Sequence, residues 1–371
     1  MILGKKVRLI PTNYQEKIFW KSVGAARFVY NWAITTQEEE YKNSGKFISD
    51  SELRKMLTRL KKTKLTWLNE VSSSIPRYAI TDVCNNYKFF FNHNTNKPKL
   101  KSKKKSKKSF RNANDRFKVR EGKLVFLEKI GWVKTSEQIP VGLKYYNPRV
   151  SFDEKYWYLS VGVEREEIKE ELTNEVLGID LGIKNLAVCS NGKIYKNINK
   201  SRVIKKIEKK LRRLQRQISR KYLKNKKGNR YQKTRNITKL EKKIKLLYRR
   251  LTNIRENYIH QITTELVKTK PAQITIENLN IKGMMKNRHL SKAIANQKFY
   301  EFRRQLEYKC KFIGIKLVIA NRFYPSSKTC SNCGYIKKDL KLKDRVFDCP
   351  NCKSKIDRDL NAALNLSMYQ N

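Results

Sequence analysis

The sequence is short of the residues on which many phosphoryl-transfer enzymes and membrane proteins depend. Only three histidines occur among 371 residues, His93, His260 and His289, and they show no H-x-H or H-E-x-x-H spacing. This argues against histidine-based nucleases and single-strand transposases, so any phosphoryl chemistry must rest on carboxylates and metal ions. No apolar run approaches the ~20 residues that span a bilayer. Because Lys5 and Lys6 interrupt the N-terminal apolar stretch, we expect no signal peptide.

Acidic residues are also scarce relative to basic ones. The chain has 33 Asp and Glu against 85 Lys and Arg, a formal net charge of +52. A packed protein with this self-repulsion needs a polyanion to neutralise it, and nucleic acid fits that need better than a membrane surface. The hydrophobic fraction of 39% is sufficient for real cores. Three of the seven cysteines lie singly in the sequence, as is typical of a reducing compartment. We therefore predict a cytosolic, multidomain nucleic-acid-binding protein.

The other four cysteines have the spacing of a zinc site. Cys330 and Cys333 form one C-x2-C pair, Cys349 and Cys352 form a second, and 15 residues separate the pairs. Each pair directs two thiolates at one point, and the short gap lets the two knuckles face each other. The alternative, two disulfides in a secreted protein, fits poorly with so large and basic a chain. We predict a structural Zn²⁺ ion bound by the four thiolates.

The N-terminal half alternates between helical and strand patterns. Residues 1–10 alternate as one strand, 11–113 are mainly helical, and 114–172 form an antiparallel β module that the N-terminal strand could complete. The basic run over residues 97–108 is interpreted either as a flexible linker or as a clamp on a phosphate backbone. The acidic stretch over residues 164–175 is interpreted as a linker.

Several helix boundaries can be predicted within the first helical region. Thr12 and Gln15 have the spacing of a capping box, which predicts the start of a first helix. A second helix is predicted to include Ala25, and a third to cover residues 53–60. Pro76 is predicted to open a fourth helix, because proline is favoured in the first turn. We expect a small helical domain.

In residues 173–371, buried strands are interspersed with helices. Asp180 and Glu277 each come at the end of a buried strand, and Asp359 begins a helix after the second cysteine pair. Strand ends on one side of a sheet can converge in space, and three carboxylates cannot all stay ionised there without cations. Mg²⁺ meets this need, and pairs of such ions support phosphodiester hydrolysis. Asp357 competes with Asp359 as the third ligand, and we assign Asp357 to the helix N-cap.

Residues 200–258 carry two heptad segments, which predict an antiparallel helical hairpin. From Lys200 to Arg255 there are 24 Lys and Arg but two acids, Glu208 and Glu241. A coiled coil that binds protein alone would balance its flanking charges, and this one does not. We favour a cradle for nucleic acid, with a protein-only coiled coil as the alternative.

Four motifs occur in a distinctive order in the second half of the chain. They are Gly178-Ile-Asp180-Leu-Gly182, Ile276-Glu277-Asn278-Leu279, Pro325-Ser-Ser-Lys-Thr-Cys330-Ser-Asn-Cys333-Gly and Arg358-Asp359-Leu-Asn361-Ala-Ala. Together they resemble the TnpB (OrfB) proteins of bacterial and archaeal insertion sequences, which are related to type V CRISPR effectors. The segment from Gly24 to Asn31 is similar to the N-terminal helical region of that family. The resemblance is close in the second half of the chain and looser before it.

This resemblance implies a multidomain α+β architecture. An RNase H-like (RuvC) α/β nuclease core would occupy residues 173–371, with a four-cysteine zinc-knuckle insert near 325–356. A β wedge domain would consist of residues 1–10 and 114–172, split around a helical recognition domain over 11–113. The pattern of strands and helices described above fits this arrangement independently.

The resemblance also implies a function. It predicts a transposon-encoded, RNA-guided DNA endonuclease that uses a guide RNA from the transposon end and cuts double-stranded DNA beside a short motif. Asp180, Glu277 and Asp359 would be catalytic and would bind Mg²⁺ in a single site. We expect one chain per guide RNA, in the prokaryotic cytoplasm at the nucleoid. Two alternatives stay open. One is an RNA-guided repressor that does not cut, because some relatives have lost these acids, although this chain keeps all three. The other is a strand-transfer transposase, because the same carboxylate chemistry would support it.

Overall fold

The computed structural model describes residues 1–167, 170–341 and 344–370. Two residues of the predicted acidic linker, two of the predicted zinc-knuckle insert and the final Asn371 lie outside the described residues. The chain divides into two compact units, Met1–Arg165 and Glu166–Asn371. In the described ranges, no helix is both long and apolar enough to cross a membrane.

The first unit contains three α-helices and one short 3₁₀ helix. Their bounds are Asn13–Ser44 (α1), Asp50–Lys62 (α2), Thr66–Glu70 (the 3₁₀ helix) and Ser74–Phe91 (α3). The predicted capping box is confirmed: Thr12 Oγ1 accepts from Gln15 N at 3.3 Å, and Thr12 N donates to Gln15 Oε1 at 3.1 Å. The separate helix predicted around Ala25 is wrong, because buried residues continue at helical spacing across Gly24 and α1 does not break there.

Seven strands of the first unit form an antiparallel sheet. Their bounds are Ile2–Ile10 (β1), Ser109–Arg111 (β2), Lys118–Arg120 (β3), Leu124–Leu127 (β4), Gly131–Thr135 (β5), Tyr145–Phe152 (β6) and Trp157–Glu164 (β7). The strand order is β2-β6-β7-β1-β5-β4-β3. The N-terminal strand therefore completes the module from its middle, paired with β7 from Ile2↔Glu164 to Leu9↔Trp157. Phe19 of α1 packs against Phe110 and Trp157 in the core between helices and sheet.

The second unit is built on a mixed sheet. The strands of this unit are Val176–Leu181 (β8), Asn185–Cys189 (β9), Ile194–Lys196 (β10), Lys226–Lys227 (β11), Arg230–Tyr231 (β12), Gln273–Glu277 (β13), Lys316–Ala320 (β14), Val346–Asp348 (β15) and Lys355–Asp357 (β16). Five of them form the sheet in the order β10-β9-β8-β13-β14. Strands β8, β13 and β14 run parallel, whereas β9 and β10 are antiparallel to their neighbours. The carboxyl ends of β8, β13 and β14 therefore meet at one edge.

Helices flank this sheet and extend away from it. The described α-helices of this unit are Arg202–Lys224 (α4), Arg235–Lys268 (α5), Ile281–Met284 (α6), Ser291–Gln297 (α7), Phe299–Ile313 (α8) and Arg358–Ser367 (α9), and a short 3₁₀ helix, Ile198–Lys200, precedes α4. As predicted, α4 and α5 form a hairpin, packed through Ile204, Leu211 and Leu251. Helix α5 continues beyond the predicted end of the hairpin, because Ile259 and Leu266 in its last turns are buried in the core of the sheet.

At Gly178 the backbones of β8 and α9 lie in close contact. A Cβ atom at Gly178 would lie 2.0 Å from the carbonyl oxygen of Ala363 and 2.4 Å from the backbone nitrogen of Ser367. Neither backbone atom can move aside as a flexible side chain could. We expect Gly178→Ala to push α9 away from β8 and to lower the free energy of unfolding by about 3 kcal/mol, the upper end for overpacking. Chemical denaturation would measure this change.

Gly24 provides a matched control for that substitution. Gly24 lies inside α1, and a Cβ there would meet nothing within 4 Å. Gly24→Ala should therefore be neutral or stabilise the protein by about 0.5–1 kcal/mol, because alanine is the better helix former. If Gly178→Ala lowered the free energy of unfolding no more than Gly24→Ala does, the close packing of α9 on β8 would be contradicted.

Candidate active site

Asp180 and Glu277 lie side by side at the carboxyl edge of the parallel strands. Asp180 is near the end of β8, and Glu277 is the last residue of β13. The parallel register pairs Ile179 with Ile276, so that Asp180 and Glu277 are the next residues along their strands. Because side chains alternate in step along paired strands, these two carboxylates project on the same side of the sheet.

Asp359 reaches the same region from helix α9. It is the second residue of that helix, and its side chain is only 14% exposed. Asp357 precedes the helix, and its Oδ1 accepts hydrogen bonds from the backbone nitrogens of Asp359 at 2.9 Å and Leu360 at 3.2 Å. Asp357 is therefore the N-cap, as predicted. Since α9 rests on β8 at Gly178, the packing that positions the helix also positions Asp359.

The three carboxylates are close enough to affect one another's ionisation. Burial raises the pKa of Asp180 well above its usual value, and the negative charges of Glu277 and Asp359 raise it further. The pKa of Glu277 is also raised, mainly by burial. The positive charge of Arg358 opposes both shifts. Buried acids that repel one another in this way form a site that a cation would stabilise.

Three side chains that support this site, those of Ser326, Asn365 and Arg358, had no role in the sequence-based prediction. The hydroxyl of Ser326 donates a hydrogen bond to Oε1 of Glu277, and Nδ2 of Asn365 donates to the backbone oxygen of Ser326 at 2.7 Å. Arg358 lies next to Asp359, with 3.4 Å between its guanidinium nitrogen and Oδ1. Ser326 and Arg358 both lie within the sequence motifs, which was the available signal, but only the fold shows what they contact.

The donor set of the acidic site suits a hard divalent cation. Asp180, Glu277 and Asp359 offer carboxylate oxygens, the ligands that Mg²⁺ prefers. In the described ranges, the four zinc-site cysteines are the one group of three or more His, Cys, Asp or Glu side chains gathered closely enough to hold a metal ion, and their ligand atoms lie within 4.8 Å of one another. The three carboxylates do not form such a group, so they fit Mg²⁺ by the chemistry of their donor atoms.

The four predicted cysteines come together as a zinc-binding cluster. The Sγ atoms of Cys330 and Cys352 are 3.7 Å apart, and those of Cys333 and Cys349 are 3.6 Å apart. All four thiols are free of disulfides. Hydrogen bonds from Ser354 lower the pKa of Cys352 to about 5, which favours the thiolate form that metal ions bind. Four sulfur ligands around one point match the tetrahedral geometry of structural zinc.

The basic hairpin presents a charged groove on α4. The groove has a volume of 540 Å³, and its cationic lining residues are Arg213, Arg216, Arg220, Lys221 and Lys224. The four acids of α4 and α5 are paired with other cations: Glu208 pairs with Arg255 at 3.3 Å, Glu241 with Lys233, Glu256 with Lys298 at 2.7 Å and Glu265 with Lys193. None of the groove cations pairs with an acid in the described part of the chain. This surface therefore has the charge that the predicted nucleic-acid cradle requires.

Three family models match consecutive parts of the chain. A model described as a helix-turn-helix domain matches residues 1–46, one described as a probable transposase (OrfB of IS605) matches 158–288, and one described as a Cas12f1-like TNB domain matches 299–366. The third match contains the four cysteines and Asp359. The first covers strand β1 and the single helix α1 in this structure.

Relatives that match nearly the whole chain point to the same family as these models. Two proteins that bear the name "Putative RNA-guided DNA endonuclease" are similar to this chain over nearly its whole length. The one from Streptomyces pristinaespiralis is 31% identical over 368 residues, covering 97% of this chain and 87% of the relative. The other, InsQ of Escherichia coli K12, is 30% identical over 385 residues, covering 97% of this chain and 90% of the relative.

One solved structure shows that the fold is shared as well. The protein of a Cas12f1–sgRNA–target DNA complex, determined by cryo-electron microscopy, superposes with a TM-score of 0.57. The superposition covers 96% of this chain and 83% of that one, at 19% sequence identity. At this level of identity the similarity concerns the fold alone.

Proposed function

This chain belongs to the TnpB (OrfB) family of insertion-sequence proteins, and from that membership we propose that it is an RNA-guided DNA endonuclease. The observation that carries the proposal is the group of three partly buried carboxylates, Asp180, Glu277 and Asp359, at one edge of the sheet. We assign the catalytic role to these three residues. A repressor that only binds DNA would have no need to keep three mutually repelling acids in one site.

The three carboxylates would hold Mg²⁺ through their oxygens. When bound there, Mg²⁺ supplies activation of water and stabilisation of the leaving oxygen in phosphodiester hydrolysis. The protein's own contribution is positioning. Ser326 holds the carboxylate of Glu277 by its hydrogen bond, and Asp357 caps α9 so that Asp359 keeps its direction. Arg358 partly offsets the negative charge and could attract the scissile phosphate.

Guide RNA and DNA would be bound mainly through their phosphates. Pairing between guide and one DNA strand would supply sequence, while the protein recognises the shape of the heteroduplex and a short flanking motif. We assign residues 1–10 and 114–172 to a wedge domain, 11–113 to a recognition domain, and the α4–α5 hairpin to the cradle. One chain per guide RNA, in the cytoplasm at the nucleoid, completes the proposal.

Sequencing of co-purified RNA tests the proposal most directly. The protein would be expressed together with the DNA that flanks its gene, and the RNA bound to it would be sequenced. We expect one discrete species with a fixed scaffold and a 3′ end that runs past the element boundary. That 3′ end would define a target for a cleavage assay, which separates a nuclease from a repressor. A heterogeneous RNA mixture would contradict the guide hypothesis, because it would show that the +52 charge collects nucleic acid without selection.

Ser326→Ala should weaken the use of Mg²⁺ in cleavage. Loss of the hydroxyl leaves Glu277 free to turn, and supporting residues of this kind change metal affinity or activity by about tenfold or more. We expect the Mg²⁺ concentration for half-maximal cleavage to rise by about that factor. The neighbouring Ser327→Ala is the control, because the Ser327 side chain has no hydrogen bond to the acids in the described residues. Identical Mg²⁺ dependence in both variants would contradict the role of Ser326.

A further inference from the structure

A basic cavity lies in the first unit, between helices α1 and α3 and strands β2 and β6. Its volume is 210 Å³, below the roughly 300–1,000 Å³ of sites that hold drug-sized ligands. Its charged lining residues are Arg27, Lys101, Lys107, Arg111, Arg149 and Asp82. With five cations and one carboxylate, the cavity suits a small anionic group.

The single carboxylate cannot neutralise these cations. Asp82 is already paired with Arg111, at 3.5 Å from guanidinium nitrogen to Oδ1. The side chains of Arg27, Lys107 and Arg149 form no ion pair or hydrogen bond within residues 1–167. Burial lowers the pKa of Arg149, and the negative charge of Asp82 only partly opposes this shift. An anion in the cavity would supply the negative charge that the lining lacks.

Two of the five lining cations, Lys101 and Arg111, are held in place by aromatic rings. The Nζ atom of Lys101 lies 3.2 Å from the ring centroid of Tyr30, and the guanidinium of Arg111 lies 4.2 Å from that of Tyr78. The Asn31 side chain also holds the backbone of Lys101. Its Nδ2 donates to the backbone oxygen of Lys101 at 2.9 Å, and its Oδ1 accepts from the backbone nitrogen of Lys101 at 2.7 Å. The basic run over residues 97–108 is therefore anchored to α1 at Lys101, and its residues Lys101 and Lys107 form part of the cavity wall.

We propose that this cavity binds one phosphodiester group of a nucleic-acid backbone. Such a group carries a single negative charge, and its oxygens accept hydrogen bonds from arginine and lysine at several angles. The inference rests on the nucleic-acid binding in the proposed function and does not depend on cleavage. Guide RNA and target DNA present the same chemical group, and the experiment distinguishes them.

The first measurement uses RNA-free protein and inorganic phosphate. Arg149→Gln on β6 and Arg27→Gln on α1 each remove one cavity charge from a different element. Lys104→Gln is the matched control, because Lys104 is an exposed residue of the same basic run and does not line the cavity. At constant ionic strength, phosphate should raise the melting midpoint of the wild type and of Lys104→Gln by mass action, and should raise it less in both cavity variants.

The second measurement is nucleic-acid affinity as a function of salt. Arg149→Gln should weaken nucleic-acid binding about tenfold, as expected for losing one charged hydrogen bond. The slope of the logarithm of the binding constant against the logarithm of salt concentration should become less steep by the amount that one phosphate contact contributes, about 0.9 for a DNA duplex. Weaker binding of guide RNA by free protein would assign the phosphate to RNA. Weaker binding of target duplex by RNA-loaded protein, with guide binding intact, would assign it to DNA.

The proposal would be overturned if both cavity variants matched Lys104→Gln in phosphate stabilisation and in both affinities. Use of two variants on separate elements keeps the test valid if one of them folds poorly. A wild-type complex that binds nucleic acid but does not cut DNA would contradict the proposed function alone, because none of these readouts uses cleavage.

Discussion

Asp180→Ala should reduce cleavage of a guide-matched duplex by about a thousandfold or more, while guide RNA binding stays unchanged. The negative charges of both Glu277 and Asp359 raise the pKa of Asp180, so Asp180 lies near both of the other acids. Loss of one metal-binding carboxylate removes several kcal/mol of stabilisation of the transition state, and ~4 kcal/mol corresponds to that factor. Single-turnover cleavage with pre-bound guide RNA measures the effect. Asp180→Asn, which keeps the shape and removes the charge, should behave similarly.

Asp357→Asn is the matched control for this experiment. It removes a negative charge two residues from Asp359, but asparagine is an equally good N-cap, so that α9 should stay in place. We expect cleavage within a few-fold of wild type. Full cleavage by Asp180→Ala with guide RNA bound would show that the site is wrongly assigned. A large loss in Asp357→Asn would move the third ligand from Asp359 to Asp357.

Cys349→Ser should remove zinc from the protein and, with it, most of the cleavage activity. Cys349 is completely buried and packs with Phe347 and Cys330 in a core too small to fold without the metal. Zinc contributes on the order of 10 kcal/mol to folding in small domains of this kind. Strand β16 of the cluster leads directly into α9, so that loss of the metal should displace Asp359. Elemental analysis should find about one zinc per wild-type chain and almost none in the variant.

Cys84→Ser controls for the loss of a thiol as such. Cys84 lies in α3, outside the cluster, and burial raises the pKa of its thiol. This variant should keep its zinc and its activity. Limited proteolysis would show new cleavage within the zinc cluster of Cys349→Ser and none in Cys84→Ser. Retention of zinc by Cys349→Ser, or its absence from the wild type, would contradict the four-thiolate site.

Features set by short-range spacing could be predicted from the sequence. The capping box of Thr12 and Gln15 and the two cysteine pairs depend on residues two or three apart, whose geometry the local backbone dictates. The break predicted near Ala25 was wrong because one buried stripe continues past Gly24. Strand β2 was not predicted, since three residues carry no clear alternation and its partner β6 lies about forty residues further along the chain.

By itself, the sequence determined the chemistry of this protein: a large positive charge, four cysteines at zinc spacing, and acids at strand and helix ends inside a set of family motifs. Only the tertiary structure decided which of these groups meet. Asp180 and Glu277 are neighbours because β8 and β13 pair in parallel, and Asp359 joins them because α9 packs on Gly178. The basic cavity likewise combines residues from distant segments. Contacts of this kind depend on strand order and helix packing, which spacing along the chain does not encode.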